Sequence, residues 1–441
     1  MNLLCNQFKL LIRETETISR RKNVNIIHLN TGVNLTSAPY KLHEALLQAG
    51  VKSKILVLNE GSELSCVEKV SKSIFYKCKR KLYAFFRKAV MKGYSLTEYM
   101  PFTALPVGMD LSKMSCIKEA DAILLHWVCG DYMSPKTIQK LIQMKKPVFL
   151  ACHDNYPFTG GCHVRMGCTK YREKCGSCPQ LHSPKEQDIT NKLLTEKKKR
   201  LRYSNVYAVG PSRWMDQNIA MSAVLRNQQH FILPNAVDTD RFHPFDKREI
   251  REEFQISSRS FVILAGLKAN EKIPYNGTEY MWEIFQKLSE RFPDGKWKER
   301  KIEIVVFGVR ETDRKEIGGL SISNAGYISE ADRLAKLYSA ADVYLVTSLE
   351  DSFNQTVAEC MACGTPAAAF KNGGIEDIID HKENGYLAEY KNAEDLAEGI
   401  IWAAEYADTA KGREKIVREF SYASVSRRFL DIMEKINREN R

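Results

Sequence analysis

The chain has 441 residues, more than one hydrophobic core usually organises, so two domains are expected. With 44% hydrophobic and 27% charged residues it is not a disordered chain, and no run approaches the ~20 apolar residues of a membrane span. Lys and Arg outnumber Asp and Glu by 66 to 54, a formal charge of +12 that suits an anionic partner such as a nucleotide, a phospholipid surface or nucleic acid.

Residues 1–22 read as an N-terminal extension. Its apolar run is too short for a signal peptide and meets Arg13 and Glu14 at once, so a cytoplasmic location is expected. In that compartment twelve cysteines point to metal, packing or redox chemistry rather than to stable disulfides.

The first strand is expected at 25–29 ("NIIHL"), followed by the turn "NTGVN", a helix near 40–48 and a stop at Gly50. A strand at 54–58 comes next. Residues 67–92, "VEKVSKSIFYKCKRKLYAFFRKAVMK", then read as a cationic helix or helix pair rich in aromatic residues. One reading is a solvated helix whose aromatics pack inward. The other is docking on an anionic membrane surface, where basic and aromatic residues cooperate. Charge alone would also admit nucleic acid, but no recognition motif supports it.

Short apolar runs follow at "AILLHW" (122–127), "PVFLAC" (147–152) and "NVYAVG" (205–210), separated by helical patterns. Such alternation is the signature of a parallel sheet covered on both faces. Between the last two lies the polar loop 158–182, with Cys162, Cys168, Cys175 and Cys178 inside seventeen residues. The pair in "CGSC" has the two-residue spacing of a zinc knuckle, and four thiolates would complete a structural zinc site. Reduced buried thiols and a redox pair are the other readings.

The pattern restarts after the turn-rich "PNAVDTDRFHP" (234–244), a linker. Strands are expected at 261–265, 303–307, 324–327, 343–346 and 366–370, again with helices between. The division is therefore 23–235, 236–420 and a final segment, 421–441, as a helix packing back on the N-terminal domain. Two doubly wound α/β domains of similar size face each other, and ligands of such sheets bind beyond the carboxyl ends of the strands. Neither half carries a full GxGxxG, which weakens a dinucleotide oxidoreductase reading.

"LVTSLEDSFNQTVAECMACGTPAAAF" (345–370) reads as strand, acidic turn, helix and strand. The turn lies at a strand's carboxyl end, and the helix begins near Asn354 and ends before Gly364. Its N-terminus suits a diphosphate, and acids at Asp351 and Glu359 suit hydroxyls of a sugar and a ribose. A surface acidic turn with one buried helix glutamate is the plainer alternative.

The stretch 337–388, with "PSRWM" and "LPNAVDTDRFHP", resembles the retaining glycosyltransferases of the GT-B fold, family 4, over most of the chain. "LHWVCGDYMS" and "HDNYPFTGGCHVRMGCTKYREKCGSCPQL" resemble a narrower branch, the bacterial capsule and exopolysaccharide enzymes. The resemblance implies a hexosyltransferase with a UDP- or GDP-linked donor and a lipid-linked glycan acceptor, retaining anomeric configuration without metal. Glu359 would accept the ribose hydroxyls; Glu350 or Asp351 would touch the donor sugar. Ser352, Phe353, Asn354, Gly373 and Gly374 would complete the donor side. Gly32 would face the diphosphate from the other domain, and His153 would sit beside the transferring sugar. One departure stands out: Asn276 occupies the place of the family's lysine before Gly277, leaving Lys268 or Lys272 to supply charge. A sugar-nucleotide epimerase of the same fold and a non-catalytic binding scaffold are the rival functions.

Overall fold

The computed structural model describes residues 24–59, 61, 63–267, 272–310 and 315–439. The extension 1–22 and Lys268 lie outside the described residues. Seven strands form an all-parallel sheet: β1 (Asn25–Asn30), β2 (Lys52–Val57), β3 (Val67–Lys69), β4 (Ala122–Leu125), β5 (Val148–Ala151), β6 (Val206–Gly210) and β7 (Gln229–Ile232). Their spatial order is β3-β2-β1-β4-β5-β6-β7. The chain leaves β1 in both directions across the sheet, so a crevice opens at the carboxyl ends of β1 and β4.

The second sheet contains β8 (Phe261–Gly266), β9 (Lys296–Trp297), β10 (Arg300–Phe307), β11 (Glu316–Ile317), β12 (Leu320–Asn324), β13 (Val343–Val346), β14 (Ala367–Phe370) and β15 (Tyr386–Ala388). Its order is β11-β12-β10-β8-β13-β14-β15, with β9 paired to β10 alone. The central strands β8, β13 and β14 are near-continuous apolar runs because helices cover both faces.

Two sequence expectations shift. The strand expected at 324–327 ends at Asn324, where Gly326 turns with φ +81° and donates its N–H to the Asn324 side chain at 2.9 Å. Residues 67–69 pair with β2 as an edge strand, so the helix of the basic segment is confined to Ile74–Met91.

The last helix, Tyr422–Glu439, buries Tyr422, Val425, Phe429, Met433 and Ile436 against Ile26, Leu42, Phe149 and Tyr207 of the first sheet's unit. The rings of Phe429 and Phe149 meet in a tilted contact at 5.5 Å. The period-3.6 apolar stripe of that helix needs a partner face, and the N-terminal sheet supplies it. The chain therefore crosses between the units twice. The crossings are bonded together, Val237 N to Phe420 O at 2.8 Å.

Candidate functional site

Strand β13 ends at Val346, and the next residues rise into the space facing the first sheet. Asp351 folds the turn: its Oδ1 accepts the N–H groups of Phe353 (3.1 Å) and Asn354 (2.8 Å). Asn354 stands in the left-handed region at φ +69°, which asparagine tolerates, and its side chain caps the helix Gln355–Ala362 through Val357 N at 3.1 Å. Three N–H groups expected to be open for a diphosphate are thus already partnered within the turn. Gly364, at φ +79°, closes the helix.

The loop after β14 approaches this turn backbone to backbone. Gly374 donates to Asp351 O at 2.9 Å, and a Cβ on Gly373 or Gly374 would lie 2.2 Å from the carbonyl oxygen of Asp351 or Ser352. Gly373 also has φ +59°. Glycine is required at both places by contact, and at the first by conformation too. On the other side, Gly277 at φ +66° brings the 275–277 turn against Thr347, whose Oγ1 donates to Asn276 O at 3.2 Å. Burial, together with the nearby charge of Asp351, raises the Tyr275 phenol above its ordinary range.

The acidic turn is also fastened to the N-terminal domain. Glu350 Oε1 accepts Asn155 Nδ2 (3.0 Å) and the backbone N–H of Arg165 (2.9 Å), so the cysteine-rich loop closes over it. Ser352 Oγ donates to His153 O, and Ser352 O accepts Ser212 Oγ, both at 2.7 Å. Arg213 pairs with Asp377 at 2.8 Å. Glu359 is buried and ion-paired with Lys41 from the first helix of the N-terminal domain, Ala38–Gln48. Gly32 lies just before that helix, half-buried beyond the carboxyl end of β1.

Three features correct the sequence expectations. Phe353 is fully buried and packs on Phe420 at 5.4 Å, so its ring is core and only its backbone belongs to the turn. The His153 imidazole turns inward: Nε2 lies 2.8 Å from His126 Nδ1, and His126 Nε2 lies 2.8 Å from His28 Nδ1. Burial lowers His153 to about 4, with Asp154 partly opposing, so the ring is neutral at ordinary pH. Finally, Cys162, Cys168, Cys175 and Cys178 are free thiols. No group of three or more His, Cys, Asp or Glu side chains among the described residues stands close enough to hold a metal ion. Burial, with the neighbouring thiols adding to it, pushes Cys162 and Cys175 up to about 12. The zinc expectation is not carried by this geometry. What anchors the loop instead is Lys197: buried, it donates to the carbonyl oxygens of Tyr156 and Thr159, and burial lowers its ammonium to about 8.

Lys272 lies on an exposed turn at the edge of this region. Sequence reading missed Lys41, Asn155, Arg165, Ser212 and the pair His28 and His126. A signal existed for the last two: His follows or ends three separate apolar runs, "NIIH", "AILLH" and "FLACH", and parallel neighbours bring those ends together.

Residues 261–405, about a third of the chain, match the model of the family "Glycosyl transferases group 1". Among curated proteins, an uncharacterized glycosyltransferase of Haemophilus influenzae is 28% identical over 137 residues, covering 30% of this chain and 37% of its own length. A mannosylfructose-phosphate synthase of Agrobacterium fabrum is 27% identical over 188 residues, 39% of each chain. The chain thus spans under half the length of these relatives. Among solved structures, a sucrose-phosphate synthase from Thermosynechococcus elongatus superposes with a TM-score of 0.60 at 15% identity, covering 94% of this chain and 100% of that one. Anabaena HepE in complex with UDP and glucose gives 0.59 at 14% identity, covering 93% and 99%. The fold is GT-B: two Rossmann-like domains across one cleft.

Proposed function

From a GT-B chain whose C-terminal domain is of the glycosyl transferase group 1 family, we propose an enzyme that moves a hexose from a nucleotide sugar to a growing surface glycan of the capsule or exopolysaccharide kind. The observation that carries this reading is the meeting of the Glu350–Asn354 turn, the Gly373–Gly374 loop and the helix Gln355–Ala362 at the carboxyl ends of β13 and β14. That arrangement suits a sugar diphosphate, and HepE, a structural neighbour, is seen with UDP and glucose. UDP is therefore the nucleotide we favour.

In this reading Lys41 holds one oxygen of Glu359 and orients the carboxylate, leaving its other oxygen for a ribose hydroxyl. Glu350 and Asp351 border the sugar, with the Ser352 backbone and Gly32 opposite each other at the diphosphate. His153 contributes through its backbone, whose O accepts Ser352 Oγ at 2.7 Å, while its ring turns inward to His126. The acceptor hydroxyl attacks the anomeric carbon on the face the diphosphate leaves, and its proton goes to the departing phosphate oxygen. The configuration is retained, no protein nucleophile is needed, and no metal ligand is assigned. Positive charge from Lys272 or Lys268 meets the leaving group and takes the place of the lysine absent at Asn276. The acceptor is lipid-linked and is met at the cytoplasmic face of the membrane. Among the described residues no helix is long and apolar enough to cross a bilayer.

The test is a panel of nucleotide sugars scored by thermal stabilisation, followed by product analysis. A donor at a hundredfold excess over its Kd adds about 2.7 kcal/mol to the folded state. The reading requires a UDP-sugar to stabilise the protein and its sugar to reach an acceptor with unchanged anomeric configuration. If wild type transfers and hydrolyses no donor while Asn276→Lys does, the chain is a binding scaffold instead. A free epimerised sugar nucleotide as the product would make it an epimerase.

A further inference from the structure

The helix Ile74–Met91 leaves almost its whole apolar side in water. Ile74 is 81% exposed, Phe75 78%, Phe85 69%, Leu82 54% and Phe86 51%, and Tyr76 is its one buried residue. Sequence alone allowed the aromatics to pack inward; only Tyr76 does. At about 100° per residue, Ile74, Phe85, Cys78, Ala89, Leu82, Phe75 and Phe86 share one arc of roughly a third of the helix circumference. Lys77, Lys81 and Lys88 flank one edge of that arc and Lys79 the other. The opposite side is stapled to the domain: Tyr76 Oη donates to Asp131 O (2.5 Å), and the buried Asp131 carboxylate takes Arg87 (2.5 Å) and Arg80 (3.4 Å). Ser73 caps the first turn through Tyr76 N at 3.1 Å.

We infer that this helix is a docking surface for an anionic phospholipid bilayer, lying in the interface with its aromatic arc among the acyl chains and its lysines at the headgroups. Six cations and no acid fall within Ile74–Met91. Exposed apolar surface bordered by lysines is the composition of an interfacial helix, and lysine stems reach from apolar surface to charged headgroups. Beside it a groove of about 700 Å³ adds Lys113 and Lys136 next to Phe75 and Met109, while its Lys140 is paired with Asp110 at 2.5 Å. A second copy on this face would oppose four lysines, Lys77, Lys79, Lys81 and Lys88, to four. A nucleic acid would use the lysines but leave Ile74, Leu82 and Phe85 in water. The chain's own residues 1–22 carry five cations against two acids, so charge does not favour them as a cover.

The staple gives the docking a consequence. The helix starts five residues after the end of β3, and Asp131 lies six residues after the end of β4. Both are carboxyl ends facing the cleft, so a bilayer on this helix lies beside the N-terminal rim of the site. That link to the acceptor rests on the transferase reading; the docking itself does not.

Co-sedimentation of the full chain with phosphatidylglycerol-containing vesicles tests it, compared with neutral phosphatidylcholine vesicles and with high salt. Binding should require the anionic lipid and fall with salt. The triple variant Lys77→Gln, Lys81→Gln, Lys88→Gln should lose on the order of 100-fold in partition, and Phe75→Ser, Phe85→Ser, Phe86→Ser a comparable amount. Phe85→Trp should show blue-shifted emission quenched by brominated acyl chains. Both triple variants change only exposed side chains, so donor-induced thermal stabilisation should stay at the wild-type value. That readout separates failure of docking from failure of the transferase reading. Equal binding to neutral vesicles, indifference to both triple variants, dimerisation through this helix, or preference for RNA over vesicles would each overturn the inference.

Discussion

The two sheets are built alike, but their carboxyl ends are furnished differently. In the N-terminal domain a line of imidazoles runs from His28 inside β1 to His126 and His153 just past β4 and β5. In the C-terminal domain the strand ends carry backbone turns, at Gly277, Asn354 and Gly373, all with positive φ. The half made of turns is the half that matches the family model. These turns bring backbone close to backbone, Gly374 N to Asp351 O at 2.9 Å, and spend their N–H groups on one another. The N-terminal half, with its imidazoles, lies outside the matched range.

The same contrast should appear first in acid. Burial lowers His153 and His43 to about 4, and holds His28 and His126 well below their ordinary value, with neighbouring imidazoles adding to it. Each folded value lies below the unfolded one of about 6.5, so between these pH values the unfolded chain binds more protons. Stability is present above pH 6.5 and drains as pH falls toward 4, on the order of 3 kcal/mol for each of His43 and His153. In the C-terminal domain burial would raise Asp342, but Lys247, Arg251, Val262 N–H and Arg300 outweigh it and hold the carboxyl low. Its contribution is lost only below about pH 4. Hydrogen exchange from pH 7 to 4 should therefore open the N-terminal core first; simultaneous opening of both cores would break the comparison.

Next comes the contact that joins the halves. Lys41→Met leaves the Glu359 carboxylate buried without its counter-charge, which should cost about 3–5 kcal/mol, read as a lowered urea midpoint. Lys41→Met with Glu359→Met should recover most of that stability. If Glu359 also serves the ribose, the double variant should bind a UDP-sugar at least tenfold more weakly by calorimetry. Recovery of both would reduce the pair to an interdomain latch.

The smallest effect sharpens the claim that the C-terminal site is backbone. Gly373→Ala forces a side chain into positive φ and against Asp351 O, and should destabilise by more than about 1 kcal/mol. Donor-induced thermal stabilisation should vanish while N-terminal exchange protection stays unchanged. Normal donor response in this variant would show that the loop can move aside.

The alternation of short apolar runs with helical stretches is legible in the chain, because buried parallel strands leave no polar face to disguise them. So are the linker, the amphipathic last helix, and the acidic turn with its helix and glycine pair, all local in sequence. The fate of polar side chains was not. Glu359 is set by Lys41, 318 residues away, and Glu350 by Asn155 and Arg165. A carboxylate's role depends on what faces it, and no period or spacing reports a partner brought in by tertiary packing. The cysteine spacing permits a tetrahedral site, but spacing constrains only which residues could meet. Whether thiols converge depends on how the loop is tied down, and here Lys197 holds the carbonyl oxygens of Tyr156 and Thr159. The helix at 74–91 shows the same division. Its composition gave charge and aromatics together, whereas only the staple at Asp131 decided which side faces water, because buried partners exist for one arc of the helix and not the other.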